Sequence, residues 1–129
     1  MLTPYHSRDI GDRIAHTLGH ALRISGAAIV EADVREISLS FERGVGDQWC
    51  IYLFDSAPGG SGHIASLLEQ QELWVRKALE LLEGDAIHQE RCREACLACV
   101  LDSQSQNDFE QGKLDRAIAL EFFGCKVSV

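Results

Sequence analysis

VREISLSFERGVGDQWCIYLFD, residues 34–55, is where the apolar residues of this chain leave a helical period for a two-residue one. Ile37, Leu39 and Phe41 alternate with Glu36, Ser38, Ser40 and Glu42, the pattern of a strand with one buried face. Gln48 to Asp55 is apolar throughout its interior, Trp49 to Phe54, as in a strand covered on both faces. Arg43-Gly44-Val45-Gly46-Asp47 lies between them and has the glycines a hairpin loop needs. Val34–Glu42 and Gln48–Asp55 are therefore expected to pair antiparallel.

Everything outward from this hairpin reads as helix. Upstream, Ile10, Ile14, Leu18, Ala21 and Leu22 form one stripe over Arg8–Ser25, with Ser7 as N-cap, Asp9 near the start and Gly26 as the stop. Downstream, Ile64, Leu67, Leu68, Val75, Ala78, Leu79 and Leu82 mark a long helix over His63–Leu82, and Gln70-Gln71-Glu72 interrupt it with a kink or break. Two shorter helices follow. One carries the cysteines; the other spans Gln111–Phe123 and turns Leu114, Ala117, Ile118 and Phe122 inward. Polar residues 102–108 separate them. The order is α-β-β-α-α-α and the fold class α+β: an antiparallel β-hairpin or small sheet packed with helices, ending in a helical cysteine-bearing segment. At 129 residues this is one domain, with an ordered core over 8–123.

Composition removes several classes of function. Hydrophobic residues are 46% and charged ones 25%, an ordinary globular mixture. The longest apolar run, Trp49 to Phe54, is far too short to cross a membrane. No basic, apolar and cleavage-site series opens the chain, so a cytoplasmic protein is expected. Twelve Lys+Arg against twenty Asp+Glu give a net charge of -8, a poor basis for gripping phosphates. DNA contact is expected to be weak or indirect. Five cysteines, an odd number, three of them crowded together, point to metal chemistry or free thiols rather than a disulfide framework.

Those three form Cys92-x3-Cys96-x2-Cys99. Zinc takes four ligands, and thiolates at this spacing can close on one ion. His88, four residues upstream, is the best candidate for the fourth, with Glu90 and Cys125 as others. The plainer alternative is three small apolar residues sharing one buried helix face. A second motif, Asp55-x-x-Pro58-Gly59-Gly60-x-Gly62, joins strand to helix. Backbone N–H groups at such a junction can hold an anion. Equally, the glycines can serve only a sharp turn and close packing, a reading the missing Gly-Lys-Ser/Thr ending favours. Asp55 is then either a cap for the turn or a general base. His16 and His20, at i and i+4, have chelating spacing but lie opposite the Ile10/Ile14/Leu18 stripe and read as a polar or half-buried helix face. His63 reads as a surface residue. No catalytic residue is assigned.

Four pieces in order carry a resemblance over about residues 10–120. His16-Thr17-Leu18-Gly19-His20-Ala21-Leu22 resembles an "HTL-x-HAL" helix, and Leu53 to Gly62 a "YDT-x-PGGAG" segment. Cys92 to Cys99 is similar to a cysteine cluster and Leu114-Asp115-Arg116 to an "LDR/LDK" that follows it. Together they resemble the MrfA-like zinc-binding domain family, which closes MrfA-type DEAD/DEAH-box DNA repair helicases, with a similar domain in DrmB of the DISARM anti-phage system. The resemblance implies a non-catalytic, zinc-binding accessory module that interacts with a helicase motor or a defence-complex protein. It assigns zinc to Cys92, Cys96 and Cys99. Where helicase relatives usually carry a fourth cysteine, this chain offers Ser105 after the cluster and Glu90 or His88 before it. The family normally ends a long chain, so this sequence is a fragment or a small subunit of a larger system. Two rivals remain: an enzyme binding a phosphorylated ligand at the Pro58–Gly62 turn with Asp55 or His63 moving protons, and a cysteine-based redox sensor.

Overall fold

The structure, a computed structural model, describes residues 6–43, 49–57, 59–84, 88–89, 92, 95 and 99–126. Its elements are helix α1 (His6–Ile29), a 3-10 turn (Val34–Glu36), strands β1 (Ile37–Arg43) and β2 (Trp49–Asp55), and helices α2 (His63–Glu69), α3 (Gln71–Glu83), α4 (Gln106–Glu110) and α5 (Arg116–Lys126). The architecture is α+β, as the hairpin signal predicts. The hairpin loop itself lies outside the described residues.

Helix α1 runs straight through Gly26, which was expected to stop it. A Cβ at Gly26 would come within 2.9 Å of Leu67 Cδ1 and 3.0 Å of Trp74 Nε1, so this glycine serves close packing inside a helix. Trp74 Nε1 also donates to the Leu22 carbonyl at 2.8 Å, which ties α3 to α1. Before β1, residues 34–36 are a 3-10 turn and not strand. Asp33 Oδ1 accepts from the Arg35 amide while Glu36 Oε2 accepts from the Asp33 amide, a reciprocal cap that holds the turn closed.

The two strands pair antiparallel with Leu39 opposite Leu53 and Phe41 opposite Ile51. Opposed residues share a face, so Ile37, Leu39, Phe41, Ile51 and Leu53 all turn toward α1. Ser38, Ser40 and Glu42 share the other face with Cys50, Tyr52 and Phe54. There β2 departs from expectation, because Tyr52 and Phe54 are 45% and 48% exposed. Among the described residues the sheet is covered on one face only. Tyr and Phe suit a strand by backbone preference, so an all-apolar strand does not by itself imply two covers.

Helices α2 and α3 are the expected long helix, broken at Gln70, whose φ of -127° and ψ of 47° leave the helical region. The polar stretch 102–108 contains the start of α4 rather than only a linker. Helix α5 begins five residues later than its apolar pattern suggests. Asp115 sets that start: its amide donates to Thr17 Oγ1 at 2.8 Å and its Oδ1 accepts from the Ile118 amide at 3.2 Å. It is thus an N-cap anchored to α1.

Two apolar clusters lie against α1. One gathers Ala27, Ile37, Leu67 and Trp74; the other gathers Leu18, Ala21, Leu82, Leu114, Cys92 and Cys99. With the sheet, α3 and α5 packed around it, α1 is buried on faces that its stripe alone would leave in water. His16 and His20, expected on a polar or half-buried face, are 6% and 4% exposed.

Candidate metal centre

The site begins where α3 ends. Gly84 adopts φ 61° and ψ -159°, and its amide closes the helix on the Glu80 carbonyl at 2.9 Å. A side chain there is doubly excluded. The positive φ disfavours it, and a Cβ would collide with Nδ1 and Cγ of His88. The ring of His88 therefore lies in a cradle that only glycine leaves open. His88 Nδ1 meets the Glu83 carbonyl at 3.1 Å. A carbonyl only accepts, so Nδ1 carries the proton and the buried Nε2 keeps its lone pair. One helical turn later the Cys92 amide donates to the His88 carbonyl at 2.8 Å, which puts both side chains on one face.

Cys99 comes to the same place from the following turn. Its Sγ is 3.7 Å from Cys92 Sγ, and both residues are 3% exposed. The ligand atoms of His88, Cys92 and Cys99 all lie within 4.8 Å of one another. Two thiolates on a tetrahedral zinc at ~2.3 Å bonds stand about 3.8 Å apart, close to the spacing found here. An oriented imidazole and two convergent, buried sulfurs fit zinc. His88, Cys92 and Cys99 would hold it, and a closed site of this donor type supplies folding energy and no open position for substrate. Cys96 and Glu90 lie outside the described residues, as does the side chain of Cys125.

Ser105 stands where a fourth cysteine was sought, and it does other work. Fully buried, it donates to the Val100 carbonyl at 2.6 Å and accepts from the Asp102 amide at 2.8 Å. It thereby folds the turn that follows Cys99. Asp102 carries that turn to α1. Its carboxylate takes two parallel bonds, 2.9 and 3.0 Å, from the guanidinium of Arg23, which is wholly buried. Arg23 in turn donates to His20 Nδ1, and His20 Nε2 donates to Asp108 Oδ2 at 2.8 Å. These roles make His20 a neutral imidazole, and burial holds its pKa below the ordinary value, with the Arg23 charge adding to the effect and Asp108 opposing it. His16 stacks on Phe41 with ring centroids 3.8 Å apart and bonds the Asp12 carbonyl. The i, i+4 pair is spent on two different neighbours and is not a chelate.

The glycine turn resolves between its two readings. Asp55 Oδ2 accepts from the Gly62 amide at 3.1 Å and Oδ1 from the Ile64 amide at 3.2 Å. The chain's own carboxylate thus occupies the helix N-terminus that an anionic ligand would need, and Asp55 is a cap. Gly62, at φ 84°, supplies the left-handed step that brings the amides round to it. Pro58 lies outside the described residues. His63 meets Glu36 Oε1 at 3.2 Å. Two surface concavities, one lined by Leu68, Leu73 and Leu79 and one by Ile24, Ala28 and Leu81, are both formed away from the turn. Asp55→Ala should cost about 1 kcal/mol, the usual worth of such a cap. Thermal melting some 3–5 °C below wild type would show it.

Sequence reasoning did not find Arg23, Asp102 or the role of Arg116. A buried Arg–Asp pair 79 residues apart leaves no local signal. Arg116 had one, as the last residue of Leu114-Asp115-Arg116. Leu114 fills the core, Asp115 caps α5, and Arg116 reaches back to the main chain of the candidate metal ligands.

A family model described as the MrfA Zn-binding domain matches residues 14–100, from α1 through the cysteine cluster. Searches among curated proteins and among solved structures found no match. The matched span covers most of the chain and ends on the residues that converge at the candidate centre. The chain belongs to the MrfA Zn-binding domain family.

Proposed function

We propose that this chain is a non-catalytic zinc-binding accessory module that works beside a superfamily-two helicase motor, in DNA repair or anti-phage defence, in the cytoplasm. The observation that carries this reading is the coincidence of the family match with a His88/Cys92/Cys99 cluster whose ligand atoms converge and whose two sulfurs are buried. Cys96 completes the ligand set as the fourth donor. The zinc then joins the end of α3 to the segment leading to α4 and α5, a structural task. Two further features support a module over an enzyme. The Asp55 carboxylate fills the one strand-to-helix junction suited to phosphate, and both described sulfurs of the cluster are buried, unlike the exposed thiol a redox sensor needs. No helix among the described residues is long and apolar enough to cross a membrane.

With a net charge of -8, the module contacts protein more readily than DNA, and a basic neighbour supplies the grip on nucleic acid. The test is affinity capture of the tagged chain from its native cells at moderate salt, with nuclease present, followed by mass spectrometry. A superfamily-two helicase or a subunit of its complex should co-purify at near-equal amounts. Capture of no helicase, or turnover of a phosphorylated substrate by the isolated chain, would overturn the reading.

A further inference from the structure

We propose that Arg116 is the positioning residue and counter-charge of the metal centre, an inference that rests on the zinc reading above. Its side chain is buried, at 6% exposure. Nε donates to the Cys92 carbonyl at 3.2 Å, Nη1 to the Leu82 carbonyl at 2.9 Å and Nη2 to the Gln89 carbonyl at 3.4 Å. Those three carbonyls mark the points that must converge for the site to exist. Leu82 is in the last turn of α3, Gln89 follows the imidazole ligand, and Cys92 is the first thiolate. One planar guanidinium ties all three, which an ammonium on a flexible stem does less well.

Charge gives the second argument. A buried cation needs an anion nearby, and the other buried arginine among the described residues has one: Arg23 is clasped by Asp102. Among the described residues, Arg116 bonds only main-chain carbonyls. Zinc held by three thiolates and a neutral imidazole carries one net negative charge. That charge would sit behind the Cys92 main chain to which Arg116 is bound. The metal centre is the missing partner of this guanidinium, and Arg116 in turn raises the affinity of the cluster for zinc.

The experiment compares Arg116→Lys and Arg116→Gln with Trp74→Phe, which removes a buried hydrogen bond to the Leu22 carbonyl in the other apolar cluster. Zinc alone is titrated against a chromophoric chelator, and cobalt(II) is substituted to read the visible bands of a tetrahedral thiolate site. Both Arg116 variants should bind zinc about 10–100-fold more weakly, the usual cost of losing an outer partner of a metal ligand. Their cobalt bands should weaken or shift. Trp74→Phe should melt lower yet keep the wild-type affinity and spectrum. If an Arg116 variant unfolds, raising free zinc by the same factor should restore its fold; failure of zinc to restore it would assign Arg116 to packing and overturn the proposal. Zinc affinities within twofold of wild type, or an equal loss in Trp74→Phe, would overturn it too. Wild-type protein that takes up no zinc is a separate result, which removes the zinc reading itself and the role of Arg116 with it.

Discussion

A zinc chelator added in excess to the folded protein is expected to lower its melting temperature by about 15 °C, and Cys99→Ser should do the same without chelator. The size follows from linkage. A metal present at ~1,000 times its dissociation constant contributes about 4 kcal/mol to the folded state, and each kcal/mol moves the melt of a chain this long by about 3–5 °C. The loss is not confined to a loop, because Cys92 and Cys99 belong to the same apolar cluster as Ala78, Leu82, Leu114 and Ala119. Releasing the sulfurs loosens α3 from α5 as well. Serine also places a hydroxyl in a dry site, so the decisive comparison is chelator on both proteins. Wild type should shift and Cys99→Ser should shift no further. Cys50→Ser, on the exposed sheet face, should behave as wild type throughout. A wild-type melt unmoved by chelator would show that the cluster is held by packing alone.

Asp102→Asn should cost about 3 kcal/mol, the lower end of the range for breaking a buried ion pair, because Asp102 itself keeps some contact with water. The change leaves the Arg23 guanidinium buried without its counter-charge and undoes the turn after Cys99. A melt roughly 10 °C lower, or a matching drop in the urea midpoint at unchanged slope, would confirm it. The same network predicts two stages of acid sensitivity. Burial alone would raise the Asp102 pKa from 3.8, but the Arg23 bonds and charge, with the amides of Gln104 and Ser105, outweigh it and hold the carboxyl lower. Its contribution is therefore complete above 3.8 and is lost as pH falls through the folded value. His20 is also depressed, from 6.5, and for a base this means the unfolded chain takes up the proton first. Its contribution is complete above 6.5 and fades as pH drops from there toward the folded value. His20→Gln should remove the first stage and leave the second; an unchanged stability profile between pH 7 and 5 would rule out His20 as its source.

Much of the fold was legible because it is local. Alternation in Ile37-x-Leu39-x-Phe41 marked β1, and the polar Gln70-Gln71-Glu72 marked the break between α2 and α3. Errors arose where distant contacts override local signals. Gly26 looks like a stop until Leu67 and Trp74 are seen against it, and Tyr52 and Phe54 look covered until both prove half-exposed. Asp115 moved the start of α5 through a bond to Thr17 that no nearby residue announces. The metal site divides the same way. His88, Cys92 and Cys99 were candidates from spacing, and the structure brings their ligand atoms within 4.8 Å of one another. Their support was not: the cradle at Gly84 and the reach of Arg116 belong to chain segments that meet only in three dimensions.

The bonds from α1 to Asp102, Asp108 and Asp115 span 79, 88 and 98 residues of chain. During synthesis at ~5–20 residues per second, α1 leaves the ribosome several seconds before those partners are made. Through that interval Arg23 and His20 wait in water or against a chaperone, and the ligand cysteines emerge before the brace at Arg116. On the zinc reading proposed above, translation order makes metal capture a late event, timed by completion of α5. A nascent chain stalled short of residue 116 would offer thiols with no assembled pocket, open to the wrong metal or to oxidation.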